Sequence, residues 1–356
     1  MRRMSRYLLP RLGISLSYPE YCRILGMNLK KELRRKADSA FYIADNPTNE
    51  RYALINEKYD GYCPFIDEDG YCSLQRACGE EVLPIVCRMY PRSVKLGEEN
   101  EISCSLSCEK TVELIISNTE KLKFEEYTAD IPEGVGIHTR CDSLYKRDMR
   151  NRCIEKMSDR LESIPIRLDT VGKIVAEIPK ENAPEIEKLP VDIAGNDIID
   201  IANIIFSLSR KSRSVEECEN ALLKLGIKED MELSEISVKD VADKYKNAEE
   251  NFYSLFPDAD IYFEKILQNH MFYMQFPYVE LSESRDEAFS ALILVYALMK
   301  LTAVMSSYDG NIEKFIFAVT EVFKLAEHSD FYSTAPVFLK RHGFMSEERL
   351  FALMCI

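Results

Sequence analysis

The sequence predicts a mainly α-helical protein: a helical body with a small, irregular, cysteine-rich α+β segment near the N-terminus. Three observations predict this class. From about residue 193 to the end, apolar residues recur at the spacing of a helix. Six of the 11 cysteines lie in residues 63–108, where prolines interrupt any long helix. Within that segment, turn residues separate short runs that favour strands.

Composition places the chain among folded globular proteins. It has 356 residues, 46% of them hydrophobic, which is enough apolar surface to offset the entropy lost on folding. The 60 acidic and 46 basic side chains give a net charge of −14. Because Lys and Arg must neutralise phosphates in nucleic-acid binding, this balance argues against a nucleic-acid partner. The length predicts two domains or one large one.

The N-terminal residues lack the apolar core of a signal peptide, so we expect a cytoplasmic protein. In that reducing compartment, cysteines more often bind metal or react than form disulfides. The longest apolar stretch, Ala288 to Met305, contains Lys300 and several polar side chains. Since a membrane span needs about 20 predominantly apolar residues, this stretch predicts a buried core helix and no membrane span.

The first elements precede and enter the cysteine-rich segment. Apolar residues at helical spacing predict a helix over Tyr18 to Lys36, whose polar face is the densest basic run in the chain. Arg51 to Ile55 is typical of a strand. Asp67-Glu-Asp-Gly70 predicts a tight turn between two short extended pieces, and Gly97 to Asn100 predicts a second hairpin turn.

The last two clustered cysteines lie where the pattern changes to a helix. Ser107 is the expected N-cap, which would place Cys108 in the first helical turn. Backbone N–H groups and the helix dipole favour a thiolate at that position. Cys104 and Cys108 would then reach one metal from the loop and from the helix start.

Residues 1–125 are predicted to form a cysteine-rich metal-binding region with its leading helix, and residues 126–356 a helical domain. A polar, proline-rich linker occupies about residues 179–190 of that domain. The expected helices are Leu144 to Leu161, Ile166 to Ile178, Ile198 to Leu208, Val215 to Leu225, Val238 to Leu255, Ile261 to Phe276, Glu287 to Met305, Ile312 to Ala326, Phe331 to Leu339 and Ser346 to Met354.

The density of cysteines is the strongest chemical signal. Soft thiolate ligands favour an iron–sulfur cluster or zinc, and the alternative is a group of independent reduced thiols. The spacings match neither zinc-ribbon nor ferredoxin patterns. Five scattered cysteines are expected to fill small apolar spaces: Cys22, Cys141, Cys153, Cys218 and Cys355.

Histidines and glycines give little further guidance. His270 and His328 lie in helical patterns and are expected to be core or groove residues rather than catalytic bases, although Glu327-His328 is notable for closing the last long helix. Glu133-Gly-Val-Gly136 lacks the third glycine and the preceding strand of a nucleotide-binding loop. Neither a common nucleotide-binding fold nor the usual glycine-rich methyl-donor loop is therefore visible.

The residues around the clustered cysteines resemble one family. The motifs are Tyr62-Cys63-Pro-Phe-Ile-Asp67, Gly70-Tyr-Cys72-Ser-Leu, Cys87-Arg88-Met-Tyr90-Pro91-Arg92 and Cys104-Ser-Leu-Ser-Cys108. In this order they resemble the flagellin lysine-N-methylase (FliB) family, and the first half is also similar to zinc- or iron-chelating cysteine domains. Weaker likeness continues at Tyr262-Phe-Glu264 and Ala326-Glu327-His328-Ser329.

The resemblance implies a methyltransferase that uses S-adenosylmethionine to modify lysine side chains of flagellin. It also implies a metal cofactor, a [4Fe–4S] cluster or zinc, held by the family cysteines: Cys63, Cys72, Cys87, Cys104 and Cys108. Cys78 has no counterpart. The acidic surface would suit a lysine-bearing substrate, and no catalytic residue is singled out.

Arg88, Tyr90 and Arg92 are candidates for binding the methyl donor, because the arginines beside Cys87 can hold a carboxylate. The alternative for the arginines is surface ion pairing with acidic neighbours such as Glu80 and Glu81.

One departure leaves a second function open. The family pattern begins with a further cysteine-rich stretch, whereas this sequence has no cysteine before Cys22. Either the start is truncated or those ligands are lost, and the metal site would then be incomplete. The alternative function is a non-catalytic, metal-stabilised (zinc or iron–sulfur) binding protein or an inactive family member.

Overall fold

The structure is a computed structural model, and it describes residues 14–58, 62–95, 100–126, 128, 144–177, 195–209, 215–231 and 235–356. This part of the chain contains 15 helices and five short strands, so the mainly α fold class is confirmed. The chain divides into two compact units: Met1–Lys95 with Glu126–His138, and Leu96–Glu125 with Thr139–Ile356. The predicted linker at 179–190 and residues 97–99 of the predicted turn Gly97 to Asn100 lie outside the described residues.

The first unit packs short elements around a three-stranded antiparallel sheet of order β1-β3-β2, in which Leu16 pairs with Ala53 and Phe41 with Ile55. Its core includes Leu16, Ile24, Ala53, Phe65 and Leu74. The elements are β1 (Ser15–Leu16), α1 (Tyr18–Gly26), α2 (Lys31–Ser39), β2 (Phe41–Ile43), β3 (Ala53–Ile55), α3 (Ser73–Cys78), α4 (Ile85–Met89) and β4 (Arg92–Lys95).

The single helix predicted over Tyr18 to Lys36 was wrong, because the structure divides it into α1 and α2. Met27, directly after α1, has an extended backbone (φ −73°, ψ 147°). Arg34 then reaches back from α2 and donates to the carbonyl oxygen of Leu25 at 2.6 Å. A residue of the basic run thus satisfies a carbonyl that the end of α1 leaves without a helical partner.

The turn at Asp67–Gly70 is confirmed. Gly70 has φ +82°, which glycine adopts without steric cost, and its N–H donates to the carbonyl of Asp67 at 2.9 Å. The flanking residues form one antiparallel bridge, Ile66 with Cys72, rather than two extended pieces. Helix α3 begins immediately after that bridge.

The second unit is a helical body around a central helix. Its elements are β5 (Glu101–Cys104), α5 (Glu109–Ile116), α6 (Leu144–Met157), α7 (Ile164–Val175), α8 (Gly195–Ser209), α9 (Glu216–Leu225), α10 (Val238–Leu255), α11 (Ala259–Tyr273), α12 (Arg285–Ser307), α13 (Ile312–His328), α14 (Phe331–Arg341) and α15 (Glu347–Met354). Helix α12 contacts α7, α9, α10, α13, α14 and α15. A helix that is apolar on every side needs such complete cover.

The expectation that the long apolar stretch is a core helix is confirmed. Among the described residues, α12 alone is long and apolar enough to cross a membrane, but 94% of its most apolar window is buried inside the protein. Its one lysine, Lys300, is paired at 2.6 Å with Glu249, a residue of the neighbouring α10. Pairing offsets the cost of placing an ammonium group near the core.

Candidate active site

Three of the predicted metal ligands lie together in the first unit. Cys63, Cys72 and Cys87 line one cavity, whose other lining residues are apolar: Ile14, Ile24, Phe41, Ile55, Phe65, Ile66, Leu74, Leu83 and Pro84. Burial raises the pKa of the Cys63 thiol to about 12 and raises the pKa of Cys72 and Cys87 as well. Without a bound cation, these three thiols are therefore protonated at neutral pH.

Cys104 and Cys108 belong to the second unit. The carbonyl of Cys104 accepts a hydrogen bond from Asn269 Nδ2 at 2.9 Å. Cys108 is buried and is itself the N-cap of α5, so the prediction that Ser107 caps the helix was wrong. The hydroxyl of Ser107 is bonded elsewhere, as described below.

The described residues contain no group of three or more His, Cys, Asp or Glu side chains arranged to hold a metal ion. The three thiols that share the cavity thus do not form a metal site in their present arrangement. Of the scattered cysteines, Cys153 and Cys218 are buried as expected, whereas Cys22 is exposed and that expectation was wrong. Cys141 lies outside the described residues.

The main polar cluster of the second unit forms between the Cys104–Cys108 motif and the end of α13. Ser105 Oγ donates to Glu327 Oε2 at 2.6 Å, and the backbone N–H of Leu106 donates to the same oxygen at 3.0 Å. His328 Nε2 lies 2.7 Å from Ser107 Oγ and 3.1 Å from Ser105 Oγ. Residues more than 200 positions apart in the sequence therefore share one hydrogen-bond network.

His270, on α11, completes the far side of the cluster. Its Nδ1 lies 3.0 Å from Glu327 Oε1, and its Nε2 lies 2.8 Å from the hydroxyl of Tyr332 on α14. A carboxylate only accepts hydrogen bonds, so the hydrogen of the contact between His270 and Glu327 is on Nδ1. His270 and Tyr332 are fully buried, which makes this side of the cluster inaccessible.

The strand ahead of the serines is fixed by a buried ion pair. Arg150, on α6, donates to both carboxylate oxygens of Glu101 at 2.8 and 2.7 Å, and also to Gln275 Oε1 at 2.9 Å. Its guanidinium lies 4.7 Å from the centre of the Phe272 ring. Two parallel charge-assisted bonds define orientation well, so β5 enters the cluster in a set position.

Glu327 is a buried carboxylate without a Lys or Arg partner. Its side chain has 0% exposure, and among the described residues no Lys or Arg lies within 4.0 Å of it. Lys324, one turn earlier on α13, is paired instead with Glu321 at 2.5 Å. The oxygens of Glu327 are engaged instead by Ser105, the backbone N–H of Leu106 and His270.

His328, the last residue of α13, is also a member of the cluster. Burial lowers its pKa below the usual value of a histidine, while the charge of Glu327 acts in the opposite direction. Burial likewise raises the pKa of Tyr273, which forms a side-chain hydrogen bond with Ser105. At neutral pH the imidazole of His328 is therefore neutral.

Comparison with protein families decides the identity of this helical body. The model of the FliB lysine N-methylase C-terminal domain matches residues 140–353, which is more than half of the chain. The chain belongs to the FliB lysine N-methylase family. No match was found among curated proteins or solved structures. The family resemblance inferred from the motifs is thus confirmed for the helical domain.

The FliB domain contains the histidine side of the cluster but not the serine side. His270, Glu327, His328 and Tyr332 lie inside the matched residues, whereas the Cys104–Cys108 motif precedes them. The hydrogen bonds of Ser105 and Ser107 attach that motif to the FliB domain. The polar cluster is therefore a group of described, hydrogen-bonded side chains that lies partly inside the matched FliB domain.

The predicted methyl-donor residues lie elsewhere, in the first unit. Arg88 is paired with the exposed Glu81 at 3.3 Å, which is the surface ion pair that the sequence offered as the alternative. Arg92 donates to the carbonyl of Arg88 at 3.4 Å. Tyr90 is joined to Pro91 by a cis peptide bond. Donor binding by Arg88, Tyr90 and Arg92 stays a prediction.

The sequence analysis did not single out Ser105, and it interpreted Ser107 only as a helix N-cap. The usable signal was their polarity, since two serines within a motif that is otherwise apolar and cysteine-containing require partners once buried. The sequence analysis also noted Glu327-His328 but identified no partner for either residue. Only the fold brings the two motifs together.

Proposed function

We propose that this FliB family protein transfers a methyl group from S-adenosylmethionine to lysine side chains of flagellin in the cytoplasm. Membership of the lysine N-methylase family carries the proposal. The chemistry of the cluster supports it, because a lysine ammonium and a sulfonium donor are both cations and Glu327 supplies a buried carboxyl group next to His328, whose pKa burial lowers. When bound, the donor supplies an electrophilic methyl group.

Lysine methylation requires a deprotonated amine. A free lysine has a pKa of about 10.4, so the amine must lose a proton before it can attack. A site that attracts the ammonium and then accepts its proton solves both problems. The cluster around Glu327 offers a carboxyl group for the first step and an imidazole for the second.

Incubating the purified chain with flagellin and S-adenosylmethionine is expected to add methyl groups to flagellin lysines, measured by peptide mass spectrometry. The matched control is the same mixture without the donor, which excludes methylation acquired during expression. Unmodified flagellin, together with no measurable binding of the donor, would contradict the proposal and favour the non-catalytic alternative.

The cysteine-rich part supports a second, separate proposal of metal binding. Cys63, Cys72 and Cys87 are the members of the predicted ligand set that share one cavity. Thiolates are soft ligands that suit zinc or iron–sulfur clusters, and binding would require the three buried thiols to lose their protons. As arranged here they do not form a metal site, and no step of the proposed reaction passes through a metal.

Metal analysis after anaerobic purification is expected to find zinc or iron in the native chain and to lose it in the triple variant C63S/C72S/C87S. The control is C22S/C78S, which alters an exposed and a half-buried cysteine of the same unit that are not predicted ligands. The variant C104S/C108S tests whether the second unit contributes. Equal metal content in the native chain and both ligand variants would refute these ligands.

A further inference from the structure

We propose that β2 of the first unit is a dimerisation edge, at which a second copy of this chain adds its own β2 in antiparallel orientation. The pairing would join two three-stranded sheets into one continuous sheet. This inference is independent of the proposed function, because it concerns only the first unit and involves neither substrate nor cofactor.

The outer side of β2 forms no hydrogen bonds within the described part of the chain. In the order β1-β3-β2, strand β2 lies at an edge and pairs only with β3. The carbonyl of Ala40 and the N–H of Ala44 bond to the residues directly after and directly before β3. Backbone groups alternate in direction along an antiparallel strand. The N–H and C=O groups of Phe41 and Ile43 therefore point away from β3, and no described residue bonds to them.

The side chains anchor the strand and leave its edge open. The ring centre of Phe41 lies 6.0 Å from that of Tyr21 and 5.9 Å from that of Phe65. Tyr42 and Ile43 are 51% and 41% exposed. Proteins commonly protect sheet edges with charged residues or prolines, and the three residues of β2 include neither. This edge is therefore suited to pairing with another strand.

The outward groups define one symmetrical register. Placing Tyr42 opposite Tyr42 of the second copy brings Phe41 of each copy opposite Ile43 of the other. Each of these pairs exchanges both of its hydrogen bonds, so every outward backbone group of β2 obtains a partner. The two Tyr42 side chains face each other at the two-fold axis, and cross-strand aromatic pairs stabilise antiparallel sheets. Because both copies use the same residues, the assembly closes as a dimer.

The charges on either side of β2 favour an antiparallel second copy. Helix α2, directly before the strand, carries four basic and two acidic residues, which gives a net charge of +2. Residues 44–51, directly after it, carry two acidic residues and one basic residue, which gives −1. Antiparallel pairing places the basic end of one copy beside the acidic end of the other. A parallel partner would place like charges together.

The dimer is expected to be weak. A strand of three residues offers a small contact. The net charge of −14 on each chain also opposes association. The association is therefore expected to depend on concentration, which makes it measurable in solution.

The first test is analytical ultracentrifugation of the full chain over a wide concentration range. We expect the average mass to rise with concentration from one chain toward two. I43P removes an outward N–H and leaves the bonds to β3 in place, since an edge strand tolerates proline on its outer side. Symmetry removes two hydrogen bonds, so association should weaken about 10-fold or more. I43V is the matched control, because it keeps the N–H and should associate as the native chain does.

Two outcomes of this test would overturn the proposal. One is a native chain that remains single at every concentration. The other is an I43P chain that is folded, as thermal unfolding checks, and associates as strongly as the native chain. Hydrogen exchange of residues 41–43 in the native chain needs no variant, and it should slow as the concentration rises. If it slowed only when flagellin was added to a chain that stays single, the edge would belong to a different partner.

Cross-linking tests the register directly. In a C22S background, which removes an exposed cysteine of the same unit, Y42C should form a disulfide between two chains on mild oxidation. The register places the two Cα atoms of residue 42 about 4.5 Å apart, a separation that a disulfide can span. E50C is the matched control, because Glu50 is exposed in the same unit and lies away from the two-fold axis. Equal cross-linking of Y42C and E50C would refute the proposed edge.

Discussion

Replacing Glu264 by alanine is expected to lower the free energy of unfolding by about 3–5 kcal/mol, because it leaves a buried arginine without its counter-charge. Glu264 lies on α11 with 0% of its side chain exposed. It accepts from Arg160 at 2.9–3.1 Å and from Arg167 Nη1 at 2.9 Å. Arg167 has only 4% exposure and cannot recover water when the carboxylate is removed.

The two arginines predict a ranking of variants. Arg160 is 30% exposed and can turn toward solvent, whereas Arg167 also donates to the carbonyls of Met157 and Glu162 and is held in the interior. E264Q keeps a hydrogen-bonding group and should cost less than E264A. R160A should cost less than either, because it leaves Glu264 still paired with Arg167.

Urea unfolding with a constant m-value measures these differences. The control is E113A, which breaks the exposed pair between Lys110 and Glu113, where both side chains are more than half exposed. Exposed pairs contribute about 0–1 kcal/mol. If E264A and E113A destabilised the chain equally, the buried position of Glu264 would be contradicted.

The helices of the second unit were predictable because burial of one face imposes a regular spacing on the sequence. The prediction of Val238 to Leu255 agrees with α10 at both ends, and the predictions for α12 and α13 differ from the structure by two residues at most. Ser237 caps α10 by accepting from the N–H of Asp240 at 3.3 Å, a local interaction within the reach of sequence reasoning.

The wrong predictions have a common physical cause. In each, a polar group that was assigned a local role forms a tertiary hydrogen bond instead. Ser107 has the composition of an N-cap, but its hydroxyl is bonded to Ser105 and His328. The residues from Tyr18 to Lys36 have continuous apolar spacing, which predicted one helix. In the structure α1 ends before α2 begins, and Arg34 of α2 donates to the carbonyl of Leu25 near the end of α1. Hydrophobic periodicity carries no information about which distant polar group will be nearby.

The candidate site illustrates the same limit. The Cys104–Cys108 motif and Glu327-His328 were each visible, yet 221 positions separate Leu106 from Glu327. Their contact depends on the packing of α11, α13 and α14, each of which was predicted individually without its neighbours. Element positions follow from local spacing, whereas a polar network follows from the arrangement of elements.

Replacing Phe315 by alanine is expected to lower the free energy of unfolding by about 3–5 kcal/mol, since the cavity left in an aromatic cluster cannot close fully. Phe315, near the start of α13, has 0% exposure. Its ring centre lies 5.9–6.2 Å from those of four aromatic residues on α10, α11 and the link between them: Phe252, Phe256, Tyr262 and Phe263.

The cluster joins α13 to its neighbours at the end opposite Glu327-His328. F315L keeps most of the volume and should cost less than about 1.5 kcal/mol. F124A is the control, because Phe124 is 48% exposed and pairs only with Phe272 among the described rings. Thermal and urea unfolding measure all three, and equal losses in F315A and F124A would contradict the buried cluster.

A double-mutant cycle separates aromatic contact from lost volume. Phe252 and Phe315 are stacked with an interplanar angle of 21°, and such pairs contribute about 0.5–1.5 kcal/mol beyond the area they bury. The variants F252L, F315L and F252L/F315L should therefore be non-additive by that amount. Because α13 carries the site residues at its other end, F315L should also leave the ionisation of His328 unchanged. A shift in that ionisation would show that the packing at one end of α13 controls the polar cluster at the other.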